Sequence, residues 1–291
     1  MVRTNTILIR NYYSLTKPGI IYGNALTAAA GFFLASRGDI AYGLFFAMLL
    51  GLSLIIASSC VFNNYIDRDI DKLMERTKER VLVKGLIPRS SALIFATCLC
   101  ILGVLVLGLF TNMLALFAAL VGFFVYVVCY SLWGKRNTWY GTVIGSISGA
   151  MPPVVGYIAV TAQFDVAALL LFFILCFWQM PHFFAIAMYR IDDYVNAKIP
   201  VLPIARGLHA AKIHMAVYII AFIIAAAMLT FLGYTGYIYL GVLVLLGLAW
   251  LGMCVKGFRT DTEKGWARRM FLFSIIIIFA FCVMIVVDGA N

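Results

Sequence analysis

Asn63, Asp67 and Asp71 recur at every fourth residue in the stretch that runs from Asn63 and Asn64 through Asp69 to Asp71. On a helix turning about 100° per residue these three side chains fall within an arc of about 80°, while Asp69 points about 120° away from Asn63. A second pair with the same spacing, Asp192 and Asn196, begins 125 residues after Asp67. Carboxylates and amides on such ridges are hard oxygen donors. They suit Mg2+, which keeps several waters and shares its shell with substrate phosphate. Cations stand beside the acids: Arg76, Lys78, Arg80 and Lys84 after the first cluster, Lys198 after the second, and Lys17 just before the first apolar run. Carboxylates, a divalent cation and a rim of Lys and Arg together describe a diphosphate site. The competing reading is a charged loop that only solvates itself and sets topology. A four-residue spacing that abuts an apolar helix and is echoed in a second loop favours chemistry.

The elements that hold these residues are set by composition. Of 291 residues, 64% are apolar and 12% charged, against roughly a quarter charged in ordinary soluble domains. Mean hydropathy is +1.02. A soluble enzyme, a nucleic-acid binder and a secreted disulfide scaffold are all excluded. Seven stretches carry no Asp, Glu, Lys or Arg: 18–36, 40–66, 90–134, 137–164, 166–189, 213–255 and 270–287. A bilayer core about 30 Å thick takes about 20 helical residues. Two of the stretches are too long for one crossing and break at Thr111-Asn112 and at Gly233–Gly236. The expected architecture is all-α, a single domain over residues 1–291. Its nine transmembrane helices lie at about 19–36, 40–62, 90–110, 113–133, 139–160, 166–188, 212–232, 236–255 and 270–288. Without period-two alternation, a helical bundle is favoured over a barrel.

With nine spans, every one of the 22 Lys and Arg residues except Arg37 falls on one face. The positive-inside rule places the N-terminus in the cytoplasm and the C-terminus in the periplasm. The net charge of +10 therefore reports orientation, not a nucleic-acid partner. Residues 1–17 are polar and do not resemble an export signal, so the expected address is a bacterial inner membrane, multi-pass, with the acidic loops facing the cytoplasm. Four helices separate the two acidic loops, which returns both to the same face, as a parallel internal repeat would. The seven cysteines form no CxxC pair and read as small core residues. Gly141, Gly145 and Gly149, followed by Pro152-Pro153, read as a close-packing stripe before a substrate groove.

The run from Asn63 to Asp71 resembles the first aspartate-rich motif of the UbiA-type intramembrane prenyltransferases, N-[DN]-x-x-D-x-x-x-D, matching at Asn63, Asn64, Asp67 and Asp71. Segments Glu75–Gly85, Trp178–Phe184, Asp192–Tyr194 and Ile199–Pro203 are similar to the branch of that family that farnesylates haem, as are Thr16–Pro18 and Gly145–Pro153. The resemblance spans nearly the whole chain. It departs at the family's second motif, D-x-x-x-D, where Asn196 stands four residues after Asp192.

The resemblance implies that the farnesyl group of farnesyl diphosphate is transferred to a vinyl group of haem B with addition of water, giving haem O and diphosphate. It implies Asp67, Asp71 and Asp192 as catalytic carboxylates, and Asn63, Asp67, Asp71, Asp192 and Asn196 as the Mg2+ set. Asn64, Lys17, Arg76, Arg80, Lys84 and Lys198 fall to substrate. Haem B is a substrate and not a cofactor; the lipid bilayer and haem A synthase or terminal oxidase assembly are the expected partners. His182 follows Pro181 in an apolar span, with Trp178 one turn earlier. An ionisable residue at that depth is a functional candidate, here for haem; the alternative is donation to a carbonyl freed by the proline. Three rival functions remain: prenylation of another aromatic or quinone-precursor acceptor, membrane transport, and non-catalytic haem delivery. Transport predicts charges at mid-span, which are absent from the sequence, and delivery would not need the aspartate ridge.

Overall fold

Apolar side chains on every face and no charge near the middle leave these segments only one way to satisfy their backbone in lipid, which is to close their own hydrogen bonds as helices. The computed structural model describes residues 2–289, and among them nine helices are long and apolar enough to cross a bilayer. They are α1 (Pro18–Ser36), α2 (Tyr42–Ile66), α3 (Arg89–Phe110), α4 (Met113–Asn137), α5 (Gly141–Thr161), α6 (Val166–Tyr189), α7 (Gly207–Phe231), α8 (Tyr237–Arg259) and α9 (Glu263–Asp288). Proline opens α1 at its first position, where a missing N–H costs nothing. Asn112 and Asp165 cap α4 and α6 by accepting the Ala115 and Ala168 amides.

Several elements differ from the sequence reading, and α2, α4 and α8 each run four residues past the expected end. The stretch expected as a polar tail contains a helix, Val2–Leu15. Helix α7 starts at Gly207 and α9 at Glu263, each several residues before the charge-free run begins. The reason is an ion pair between them: Lys212 is buried, bonded to Glu263 at 2.6 Å and to the Gly257 carbonyl at 2.7 Å. Lys212, which ends one apolar run, thus lies inside a helix, satisfied by Glu263 at the start of another.

In the bundle α5 packs on α1, α4 and α6; α6 also packs on α7 and α9; and α9 returns to α1, closing a ring. The tightest seam is α1 against α5. A Cβ added to Gly156 would lie 1.9 Å from the Ala28 carbonyl oxygen, and one added to Gly31 would lie 2.0 Å from that of Pro153. Only backbone fits there. At the end of the bundle where α2 and α6 finish, the two acidic loops meet. Ile70 and Met74 from one pack with Ala197, Ile199 and Val201 from the other.

Gly156→Ala is expected to destabilise the protein by about 1–3 kcal/mol through overpacking. Gly241→Ala, at a position with no atom within 4 Å of the added carbon, is expected to be neutral or stabilising. Thermal unfolding of the two variants in detergent checks the contrast.

Candidate active site

Helix α2 ends at Ile66, but Asp67 caps it and the next turn, Arg68–Asp71, continues nearly in phase: the Asp71 amide donates to the Asp67 carbonyl at 2.8 Å. The Asn63, Asp67, Asp71 ridge is therefore built, and all three residues are buried. Asp67 Oδ2 accepts from Lys135 Nζ at 2.5 Å and from Asn63 Nδ2 at 2.9 Å, while its Oδ1 has no hydrogen-bond partner. Asp71 pairs with Arg80 at 2.5 Å. Asn63 accepts from Lys17 and donates to the Ser131 hydroxyl. Asp69 points away, as its phase requires, into a bidentate pair with Arg136 at 2.7 Å. That guanidinium holds its carboxyl down at about 2.

Lys135 and Ser131 reach the ridge because α4 is not a regular α-helix near its end. Residues Val125–Gly134 form a π-helix, in which the Ser131 hydroxyl donates to the Tyr126 carbonyl five residues back. Such widened turns re-aim side chains and gather at functional sites. Tyr126 and Tyr130, stacked at 5.7 Å, turn inward from the same stretch.

These groups form the mouth of a cavity of about 840 Å3 that runs into the bundle between α1, α2, α4, α5, α6 and α9. Four basic side chains line it, Lys17, Arg76, Arg80 and Lys135, against one lining carboxylate, Asp71. The mouth is thus an anion receptor. Beyond it the walls become apolar and aromatic, with Leu52, Ile55, Phe123, Met151 and Leu175, and with Trp178, Gln179 and His182 from α6. The glycines Gly141, Gly145 and Gly149 line the same space while packing closely on α4 and α6, so the stripe serves packing and groove together.

Of the residues singled out in the sequence, the structure brings Lys17, Asn63, Asp67, Asp71, Arg76 and Arg80 together at the mouth, and Trp178 and His182 deeper in. It does not bring in the rest. Asn64 faces the other way and donates to the Leu15 carbonyl at 2.8 Å. Lys84 pairs with Glu79 outside the cavity. Asn196 and Lys198 are exposed. Asp192 is 74% exposed and pairs with Lys264. Its neighbour Asp193 is the buried acid of the second loop: Oδ1 accepts the Glu75 amide at 2.8 Å and Oδ2 has no partner. The cause is a break at Arg190 (φ −109°), which ends α6 and restarts a short helix at Ile191 in a new phase. A turn of about 100° per residue then decides which of two adjacent acids faces inward. The sequence reading missed Asp193, Lys135 and the two tyrosines. Lys135 was recognisable by depth, lying like Lys17 at the end of a span, level with Asp67.

Nine membrane helices around an anion-receiving mouth backed by buried aspartates define an intramembrane enzyme for a charged, lipid-like substrate. The model of the UbiA prenyltransferase family matches residues 24–276, and the chain belongs to that family. It is 54% identical to the protein named Protoheme IX farnesyltransferase of Yersinia pestis (strain Pestoides F), over 97% of this chain and 95% of the relative. It is equally similar to the one of Photorhabdus laumondii subsp. laumondii, over 97% and 96%. Two solved structures share the fold. A digeranylgeranylglyceryl phosphate synthase superposes with a TM-score of 0.77 at 19% identity, covering 96% of this chain and 98% of that one. A UbiA homolog from Archaeoglobus fulgidus bound to GPP and Mg2+ superposes with a TM-score of 0.73 at 18% identity, covering 95% and 99%.

Lys17 holds its place at a conformational cost. It sits in the left-handed region (φ 52°) immediately before Pro18, a geometry that costs about 1–3 kcal/mol for a residue with a side chain. Burial, with Arg80 and Lys135 nearby, pulls its ammonium down to about 8. The free protein therefore loses this charge as pH rises through about 8, and with it part of its attraction for a diphosphate. The KM for a prenyl diphosphate is expected to climb across that interval, and Lys17→Arg, which stays charged, is expected to remove the inflection. A pH series of initial rates checks both.

Proposed function

We propose that this chain transfers the farnesyl group of farnesyl diphosphate to a vinyl group of haem B, with addition of water, releasing haem O and diphosphate. The observation that carries this is the continuity of one cavity. A cationic, aspartate-backed mouth suited to diphosphate opens directly into an apolar chamber walled by Trp178 and His182. Relatives named for this reaction, matched over nearly their whole length, support it. The charge distribution supports a multi-pass protein of the bacterial inner membrane with the mouth on the cytoplasmic side. Haem A synthase or terminal oxidase assembly would be the recipient of the product.

The reaction breaks the allylic C–O bond, and the electron pair leaves with the diphosphate. Lys17, Arg76, Arg80 and Lys135 stand where that charge appears, the kind of pre-placed electrostatics that contributes most to catalysis. The vinyl π-electrons then form the new C–C bond, so no general base is needed for that step. The apolar walls keep water from the allylic cation until the vinyl carbon reaches it, and the Trp178 face offers a π-surface to passing positive charge. Water captures the cation left beside the porphyrin and loses a proton, giving the hydroxyl.

The donor set fits Mg2+. Asp67 Oδ1 and Asp193 Oδ2 are buried oxygens without hydrogen-bond partners, and Asn63 and Asp71 stand beside Asp67. We assign these four residues to the ion, with Asp193 in the place first expected of Asp192. Among the described residues no three His, Cys, Asp or Glu side chains converge into a cage, so the remaining positions of the ion's shell would fall to water and phosphate. When bound, it would neutralise charge on the departing diphosphate.

Purified protein given farnesyl diphosphate, Mg2+ and either haem B or 4-hydroxybenzoate is expected to yield a product of haem O mass, and none from the benzoate. A prenylated benzoate instead would overturn the acceptor. In the same assay Asp193→Asn, which keeps an acceptor for the Glu75 amide, is expected to lose at least about a hundredfold in rate, whereas Asp192→Ala is expected to stay close to the parent.

A further inference from the structure

The cavity wall on α6 carries one imidazole whose hydrogen bonding is set by its surroundings. His182 Nδ1 lies 2.7 Å from the hydroxyl of Ser274 on α9. That hydroxyl has a single proton, and it is committed to the Phe271 carbonyl at 2.5 Å, one turn back on the same helix. A serine oxygen that has given up its proton accepts only. The His182–Ser274 bond must then run from Nδ1–H to Oγ, which leaves the lone pair on Nε2.

The rest of the surroundings hold the ring in place. Trp178, one turn earlier on α6, donates its Nε1–H to the carbonyl of the same Ser274 at 2.8 Å and stacks on the His182 ring at 4.8 Å. Phe271 closes on the ring at 5.0 Å. The carbonyl of Phe177, left without its usual donor by Pro181, does not receive the imidazole proton. Nε2 makes no hydrogen bond with any described residue, and His182 lines the chamber. A neutral imidazole with Nδ1–H fixed by an oxygen and Nε2 free, on a rigid helix facing an apolar space, is the arrangement of a metal-ligating histidine.

Resting on the reading that haem B enters this chamber, we propose that His182 Nε2 ligates the haem iron and that Ser274 is a positioning residue that selects the ligating tautomer. Ligation would hold the porphyrin at one height and orientation on α6, so that a vinyl edge faces the allylic carbon.

The test uses the full chain in detergent, titrated separately with ferric haem B and with metal-free protoporphyrin IX. Binding is followed by absorption, fluorescence and electron paramagnetic resonance, and haem O formation is measured on the same preparation. The wild type is expected to show histidine-ligated haem and to bind haem B at least about tenfold more tightly than the metal-free ring. His182→Gly should lose the ligated spectrum and regain it with added imidazole. Ser274→Ala should weaken haem binding about tenfold and alter the spectrum, and Ser274→Thr should restore both. Equal affinity of the wild type for the two rings, or an unchanged spectrum in His182→Gly, would overturn ligation. If haem O still forms in that case, the proposed function stands without it. If the wild type neither binds haem B nor makes haem O, both fall together.

Discussion

The arrangement of this site follows from one constraint: a carboxylate with no exposure to solvent must find positive charge. Asp67 is fully buried, and an ionised carboxylate left unpaired at such a position costs several kcal/mol. Its partners come from two helices. Asn63 is on the same face of α2, and Lys135 is brought in by the widened turns of α4. Arg136 adds a longer contact at 3.7 Å. The same Asn63 recruits Lys17, and Asp71 recruits Arg80. Satisfying one buried acid thus fixes the ends of α1, α2 and α4 relative to each other. The cations so placed also make the mouth attractive to an anion.

The fold was legible in the sequence wherever lipid alone dictates structure. Charge-free runs of sufficient length, broken at Thr111-Asn112 and Gly233–Gly236, located the nine spans because a bilayer permits few alternatives. Legibility failed where charges pair with one another. Lys212 looks from sequence like the edge of a span, yet Glu263 and the Gly257 carbonyl allow it to lie inside one. The site shows the same division. Asn63, Asp67 and Asp71 could be placed on one ridge because the helix hardly breaks between them. Asp192 could not be told from Asp193, because the break at Arg190 resets the phase by a backbone geometry that composition does not announce. The direction of Lys135 was hidden for a related reason: at 100° per residue it falls about 120° from the cavity-lining Phe123, and the π-helix carries it round to Asp67.

Polar and apolar demands are separated along the cavity instead of mixed. The cations stay at the helix ends, where water can share the cost of their charge. The interior walls are mostly carbon, with small hydroxyls such as Thr27, Ser59 and Ser148 and, on α6, Trp178, Gln179 and His182. Each of the three has polar atoms bonded inside the bundle: Trp178 and His182 to Ser274, Gln179 to the Ser146 and Leu175 carbonyls. The polar groups that α6 presents to the cavity are thus anchored. An anchored group keeps its orientation when a ligand arrives, which spares ordering entropy.

The pairing pattern also says something about the order in which charges are exchanged. Lys135 and Arg80 are bonded to Asp67 and Asp71, so a diphosphate at the mouth competes with those carboxylates for the same cations. Drawing the cations toward phosphate would leave two buried acids short of positive charge, a state that the low dielectric penalises heavily. A divalent ion held by Asn63, Asp67, Asp71 and Asp193 would offset that penalty by supplying positive charge beside the carboxylates. On electrostatic grounds the aspartates and the substrate's phosphate oxygens would act as the two halves of one site.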